Sequence, residues 1–161
     1  MLYFASTARL SLCREESVIA ETVDSILRNH GRERDRVARE SSETDYRRER
    51  RSGHREPFEI PFYLYPVQKT RHRLDVDLTS PLIALTRDLS ARGIGFQVDE
   101  HLTGRWMVAE FDSMNGQPYR FLIEIRWSQK KCAHCYRGGA QLKALIRQKG
   151  ALAEEDMLAP A

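Results

Sequence analysis

The sequence predicts a mainly β domain, a small antiparallel barrel or sandwich, with an amphipathic helix on each side of it. Three observations carry this. After Pro57 the apolar period is two, short apolar stretches recur with turn residues between them, and helical spacing is confined to the two ends. With 161 residues and 41% hydrophobic content, the chain can build one ordinary core plus appendages.

Residues 1–31 form the first segment. "MLYFASTARLSLC" is mildly apolar, but Arg9 interrupts it, and it is too short for a signal-peptide core or a membrane span. Leu10 to Cys13 has the outline of a lipoprotein cleavage box, yet Leu12 stands where a small residue is required. The three cysteines, Cys13, Cys132 and Cys135, make no disulfide framework for a secreted chain, so a cytoplasmic location is expected. Val18, Ile19, Val23, Ile26 and Leu27 then recur at helical spacing. This stripe predicts an amphipathic helix with two candidate partners: its own domain, or another protein, including a second copy in a homodimer.

Residues 32–46 are almost entirely polar and are expected to be a charged linker, with fraying helix at most. Five arginines follow between Arg47 and Arg55. From Arg28 to Arg55 ten arginines face six acids, about +4 in a chain whose net charge is +3. Gly53 and Pro57 argue against a continuous helix there, so these guanidinium groups belong to an irregular arm at the entrance of the β domain. A local basic arm beside a near-neutral domain suits a compact anion better than a long polyanion.

The strands come next. Phe58, Ile60, Phe62 and Leu64 alternate, as do Leu74, Val76 and Leu78. "LIALT" and "IGFQV" are short buried runs, and "WMVAEF" and "RFLIEIRWS" flank Asn115-Gly116, a strong hairpin signal. "YRGGAQL" supplies the last strand, where Gly138 and Gly139 read as strand or bulge positions. Trp106 and Trp127 alternate with apolar neighbours and are assigned to the core. "LKALIRQKGALAEEDML" predicts a C-terminal helix with Leu142, Leu145 and Ile146 on the barrel. The β domain with its arm and the start of this helix spans 47–149, and 150–161 is a tail.

Two short motifs stand in register with these strands. Arg51-Ser-Gly-His-Arg55 is an R-x-x-x-R before the first strand, and Asp88, Ser90 and Gly93 in "TRDLSARGIGF" have the spacing D-x-S-x-x-G between two strands. Together they resemble the PilZ domain family over roughly residues 47–145, with "IEIRWSQKKCAHCYRGGAQL" similar to the family's last hairpin and closing strand. The resemblance implies a six-stranded antiparallel β-barrel that binds cyclic di-GMP, a bacterial second messenger. It implies no cofactor and no catalytic residue, and its ligand contacts are Arg51, Arg55, Asp88, Ser90 and Gly93. Arg50, just before the motif, is the position associated with a stacked ligand pair.

These residue types suit that ligand. Arginine's planar fork meets a phosphate or the O6 and N7 edge of guanine with two parallel hydrogen bonds, and its face stacks on a purine. The Asp88 carboxylate accepts from guanine N1 and N2, and Ser90 supplies a short hydroxyl. Gly93 permits close backbone approach or a positive φ. The bland alternative for Asp88 and Ser90 is a turn held by side chain to backbone hydrogen bonds.

Other chemistries find less support. Cys132-Ala-His-Cys135 lacks a second ligand pair for structural zinc, and a thioredoxin-like role needs such a pair at a helix start. No acid pair, nucleophile elbow or phosphate loop is assembled, so a non-enzyme is expected. General nucleic-acid binding is disfavoured by the absence of aromatics interleaved with the arginines. The expected function is a cyclic di-GMP receptor that passes binding to another surface through ordering of the arm. The alternative is a PilZ-like interaction module without nucleotide.

Overall fold

Alternating apolar sequence forms strands here because one face of each strand can be buried in a common interior. The computed structural model describes residues 10–40, 59–69, 71 and 74–148. In chain order they form β1 (Leu10–Cys13), α1 (Glu16–Glu40), β2 (Pro61–Lys69), β3 (Leu74–Val76) and β4 (Leu82–Leu89). β5 (Gly93–Val98), β6 (Trp106–Phe111), β7 (Tyr119–Cys132) and β8 (Cys135–Gln148) follow.

Six of these strands close a ring in the order β8-β5-β4-β2-β6-β7, with β7 returning to β8 and every pairing antiparallel. The sheet is therefore a closed six-stranded barrel, which has no free edge around the ring. Phe62, Leu64, Ala84, Ile94, Phe96, Val98, Met107, Ala109, Phe111, Phe121, Ile123, Ala140 and Leu142 fill its interior. Phe62 stacks on Phe111 at 4.9 Å between ring centroids and meets Phe96 edge-on at 6.1 Å. One polar side chain, Thr86, also points inward; its Oγ1 accepts the Ile60 N–H at 2.8 Å.

The helix stripe is used at home. Ile19, Val23 and Ile26 are buried in the same cluster as the barrel interior, with Val18 and Leu27 packed against it. The stripe thus packs on its own domain, the first of its two candidate partners. The helix also continues to Glu40, so residues 32–40 of the expected linker are helical. Residues 41–46 lie outside the described residues.

Two ends of the sequence reading change. Leu10–Cys13 is a strand, pairing antiparallel with Leu145–Gln148 along β8 beyond the point where β5 stops. The C-terminal helix is not formed over 142–148, which is β8. The helical spacing of Leu142 and Leu145 has another origin: Leu122 pairs with Ala144 and Ile123 with Leu142, so Lys143 is an extra residue in a bulge. The bulge brings residues three apart onto the inner face, mimicking a helical period. Ile146 instead packs on a second cluster of Tyr65, Val67 and Val108 outside the barrel. Residues 149–161, including the rest of the expected helix and tail, lie outside the described residues. No helix among the described residues is long and apolar enough to cross a membrane.

Candidate functional site: a glycine strip on the outer barrel face

Asp88, Ser90 and Gly93 are brought together at the β4–β5 connection. The turn is closed by the Ser90 N–H donating to the Gly93 carbonyl at 2.9 Å. The Ser90 hydroxyl oxygen accepts from the Gly93 N–H at 3.3 Å and the Arg92 N–H at 3.4 Å. Ser90 is therefore first a turn-former. Gly93 does not supply a positive φ, which among the described residues occurs at Gly116 alone of the glycines. Its reason is close approach: a Cβ there would lie 3.0 Å from the Ala140 carbonyl oxygen on β8.

Asp88 reaches its position through a bulge. Thr86 pairs with Phe96 and Asp88 with Gly95, leaving Arg87 as the extra residue. The strand phase flips there, so Thr86 faces the core while Asp88 is exposed. The Asp88 carboxylate lies across the bare backbone of β5: Oδ1 accepts the Gly95 N–H at 3.2 Å. A Cβ on Gly95 would stand 2.8 Å from Oδ2, so any other residue would push the carboxylate away.

β7 contains the mirror of this arrangement. Ile125 pairs with Ala140 and Trp127 with Gly139, so Arg126 is a bulge residue and the phase flips again. Trp127 thereby faces out, 52% exposed, correcting its assignment to the core. Trp106 remains partly buried against the second cluster, as its alternation indicates. The Trp127 indole covers Gly139, where a Cβ would come within 2.2 Å of Nε1. Gly138 points the other way, with the Phe96 ring 2.5 Å from where its Cβ would be.

Pairing now aligns four residues. Asp88 is opposite Gly95, Gly95 opposite Gly139, and Gly139 opposite Trp127. They form one cross-strand row on the outer face of β4, β5, β8 and β7, spanning about 14 Å at the usual interstrand spacing of roughly 4.8 Å. A carboxylate stands at one end and an indole at the other, and each lies over the glycine beside it. Arg137, two residues before Gly139 on β8, pairs with Gln97, and its buried Nε has no hydrogen-bond partner. Gly95, Gly139, Trp127 and Arg137 were not singled out as site residues by the sequence. The glycines of "GIGF" and "RGG" were the available signal, but only the pairing register shows which of them share a face.

The arginine arm bears on this row only through sequence. Arg50, Arg51 and Arg55 lie outside the described residues, as do Arg47 and Arg48.

A different charged group is placed by the same hairpin. Glu124 on β7 is only 4% exposed and sits among Arg105, Arg126 and Lys143. Arg105 Nε donates to Oε1 at 2.8 Å, Arg126 to Oε1 at 3.1 Å, and Lys143 Nζ to Oε2 at 3.2 Å. The Arg105 hydrogen bond, aided by Lys143 and opposed by desolvation, holds the carboxyl well below the usual range, at about 2. Nearby, Glu110 accepts from Arg120 Nε at 2.6 Å and from the Tyr65 hydroxyl at 3.3 Å, while burial, then Glu110, raises the Tyr65 phenol. These groups tie strands together and are structural in character.

No family model, curated protein or solved structure matches the chain.

Proposed function

We propose that this domain is a cyclic di-GMP receptor without catalytic activity of its own. The observation that carries the reading is the row Asp88, Gly95, Gly139, Trp127. A purine is a flat plate with donors on one edge, and guanine presents N1–H and N2–H together. Asp88 offers the acceptor for that edge. The glycines let the Asp88 carboxylate and the Trp127 indole lie close against the barrel wall, and Trp127 supplies a π surface; stacking of a base on an aromatic is worth roughly 1–3 kcal/mol. Arg137 adds a donor beside the strip for a phosphate or a guanine edge.

The resemblance of Arg51-Ser-Gly-His-Arg55 and Asp88, Ser90 and Gly93 to the PilZ motifs supports the same ligand. The arm enters β2, which pairs directly with β4, the strand that carries Asp88. Arg51 and Arg55 would close over the ligand from that side, with Arg50 engaging a second, stacked ligand. Ordering of the arm is the event that would pass binding to another surface.

A second reading, a PilZ-like protein-interaction module, is favoured by one feature. Tyr63 and Ile83 are direct cross-strand partners, Leu85 lies opposite Pro61, and all four are exposed on the outer face of β2 and β4; Ile83 is 66% exposed. Such an apolar cluster suits a protein contact. The two readings combine if ligand binding controls access to it.

Calorimetric titration of the full chain with cyclic di-GMP, using GMP and a short DNA as controls, tests the proposal. Saturable heat with cyclic di-GMP alone is expected. Absence of heat and of competition at high micromolar ligand would reject the receptor reading and leave the interaction module.

A further inference from the structure

The tip of the β7–β8 hairpin contains chemistry that nucleotide binding does not use. Cys132 ends β7 and Cys135 begins β8, with Ala133 and His134 as the two turn residues. The cysteines are paired directly across the ladder, and Lys131 is the extra residue of a bulge just before them. Directly opposed residues of an antiparallel pair have Cα atoms about 4.5 or 5.5 Å apart, and both values fall within the roughly 4.4–6.8 Å that a disulfide spans. Both thiols are free. Burial, then a hydrogen bond with Cys132, raises the Cys135 thiol.

The two cysteines differ in access. Cys132 is exposed, as are Ala133 and His134 beside it, whereas Cys135 is partly covered. Lys130 and Lys131 precede Cys132 and Arg137 follows Cys135, a cationic setting that attracts an anionic reagent. Among the described residues no group of three or more His, Cys, Asp and Glu side chains is arranged to hold a metal, so this pair has no third ligand there.

We propose that Cys132 and Cys135 form a reversible disulfide by exchange with a small anionic disulfide of the glutathione class. The Cys132 thiolate, its proton released to solvent, attacks one sulfur of the reagent. A mixed disulfide forms and one thiolate leaves. Cys135, deprotonated in turn, attacks Cys132 Sγ, closing the protein disulfide and expelling the second thiolate. The two protein sulfurs are oxidised by two electrons, and the reagent is reduced to two thiols that take up the two protons. Exposure makes Cys132 the entry point and Cys135 the resolving group. The exposure of Cys132 keeps the bridge accessible to reductant.

The test uses the intact chain equilibrated with glutathione buffers of increasing oxidation, quenched with acid and digested with trypsin. Cleavage after Lys131 and Arg137 yields Cys132–Arg137, a peptide containing both cysteines and separate from Cys13. This peptide should lose two hydrogens in oxidised buffer and regain them with dithiothreitol. Cys135→Ser should instead retain one glutathione at Cys132, and Cys132→Ser should be modified far more slowly. Two unmodified thiols in excess oxidised glutathione would overturn the proposal. So would glutathione persisting on the wild-type peptide, or zinc retained by the purified chain and lost in both serine variants.

Discussion

Trp127 and Gly139 are partners across the β7–β8 ladder, and the indole occupies the space a side chain at 139 would fill. Trp127 is therefore held over β8 at the end of the strip that begins at Asp88. This relationship makes the two residues one packing unit.

Trp127→Ala and Gly139→Ala should weaken cyclic di-GMP binding by about 1–3 kcal/mol each, the first by removing the stacking surface and the second by displacing it. The double variant should bind no worse than Trp127→Ala, because both changes remove the same contact. A double-mutant cycle by calorimetry checks this; additive losses would mean that the two residues act separately. Folding should survive, since Trp127 is on the outer face.

Asp88→Ala should cost binding about 2–4 kcal/mol, because it removes a charge-assisted acceptor and leaves guanine donors unpaired. Gly95→Ala should reproduce part of that loss with Asp88 still present, since the new methyl group meets its carboxylate. Circular dichroism should show both variants folded. A variant that stays folded and binds like the parent would remove Asp88 from the site.

The arginines are expected to divide by role. Arg55→Ala and Arg51→Ala should weaken binding of the first ligand. Arg50→Leu should lower the number of ligands bound from two to one, because an extra guanidinium gains a partner only when a stacked pair offers further edges and phosphates. Titration at known active concentration distinguishes the two effects; one ligand in parent and variant alike would reject the role of Arg50.

Glu124 makes acid stability a readout of the structural network. Its folded pKa, at about 2, is depressed below the usual value of about 4.3. Its contribution is therefore fully present above the unfolded value and is lost as pH falls from there through the folded one. Glu124→Gln should be less stable at pH 7, with the difference narrowing below about pH 4.3. Urea denaturation across that range measures it, and a gap independent of pH would show that Glu124 acts through packing alone.

The class of fold was legible because it is written in local periodicity. Alternation in Phe62 and Leu64, in Ile94, Phe96 and Val98, and in Phe121 and Ile123 needs only one buried face to become a strand, and these side chains fill the barrel. The stripe Ile19, Val23 and Ile26 was equally readable as helix. Its partner was not, because an amphipathic face states that it must be covered without stating by what.

What the tertiary structure decided is phase and neighbourhood. The bulges at Arg87, Arg126 and Lys143 each shift alternation by one residue, placing Asp88 and Trp127 outside and Leu142 and Leu145 inside. A bulge depends on how many residues the facing strand provides, which a single strand's sequence does not contain. The same holds for the short run Leu10–Cys13, which is a strand because β8 extends past β5 and offers it an edge. Asp88, Gly95, Gly139 and Trp127 were each present in the sequence as separate residues; only barrel closure brought β4, β5, β8 and β7 side by side and made them a row.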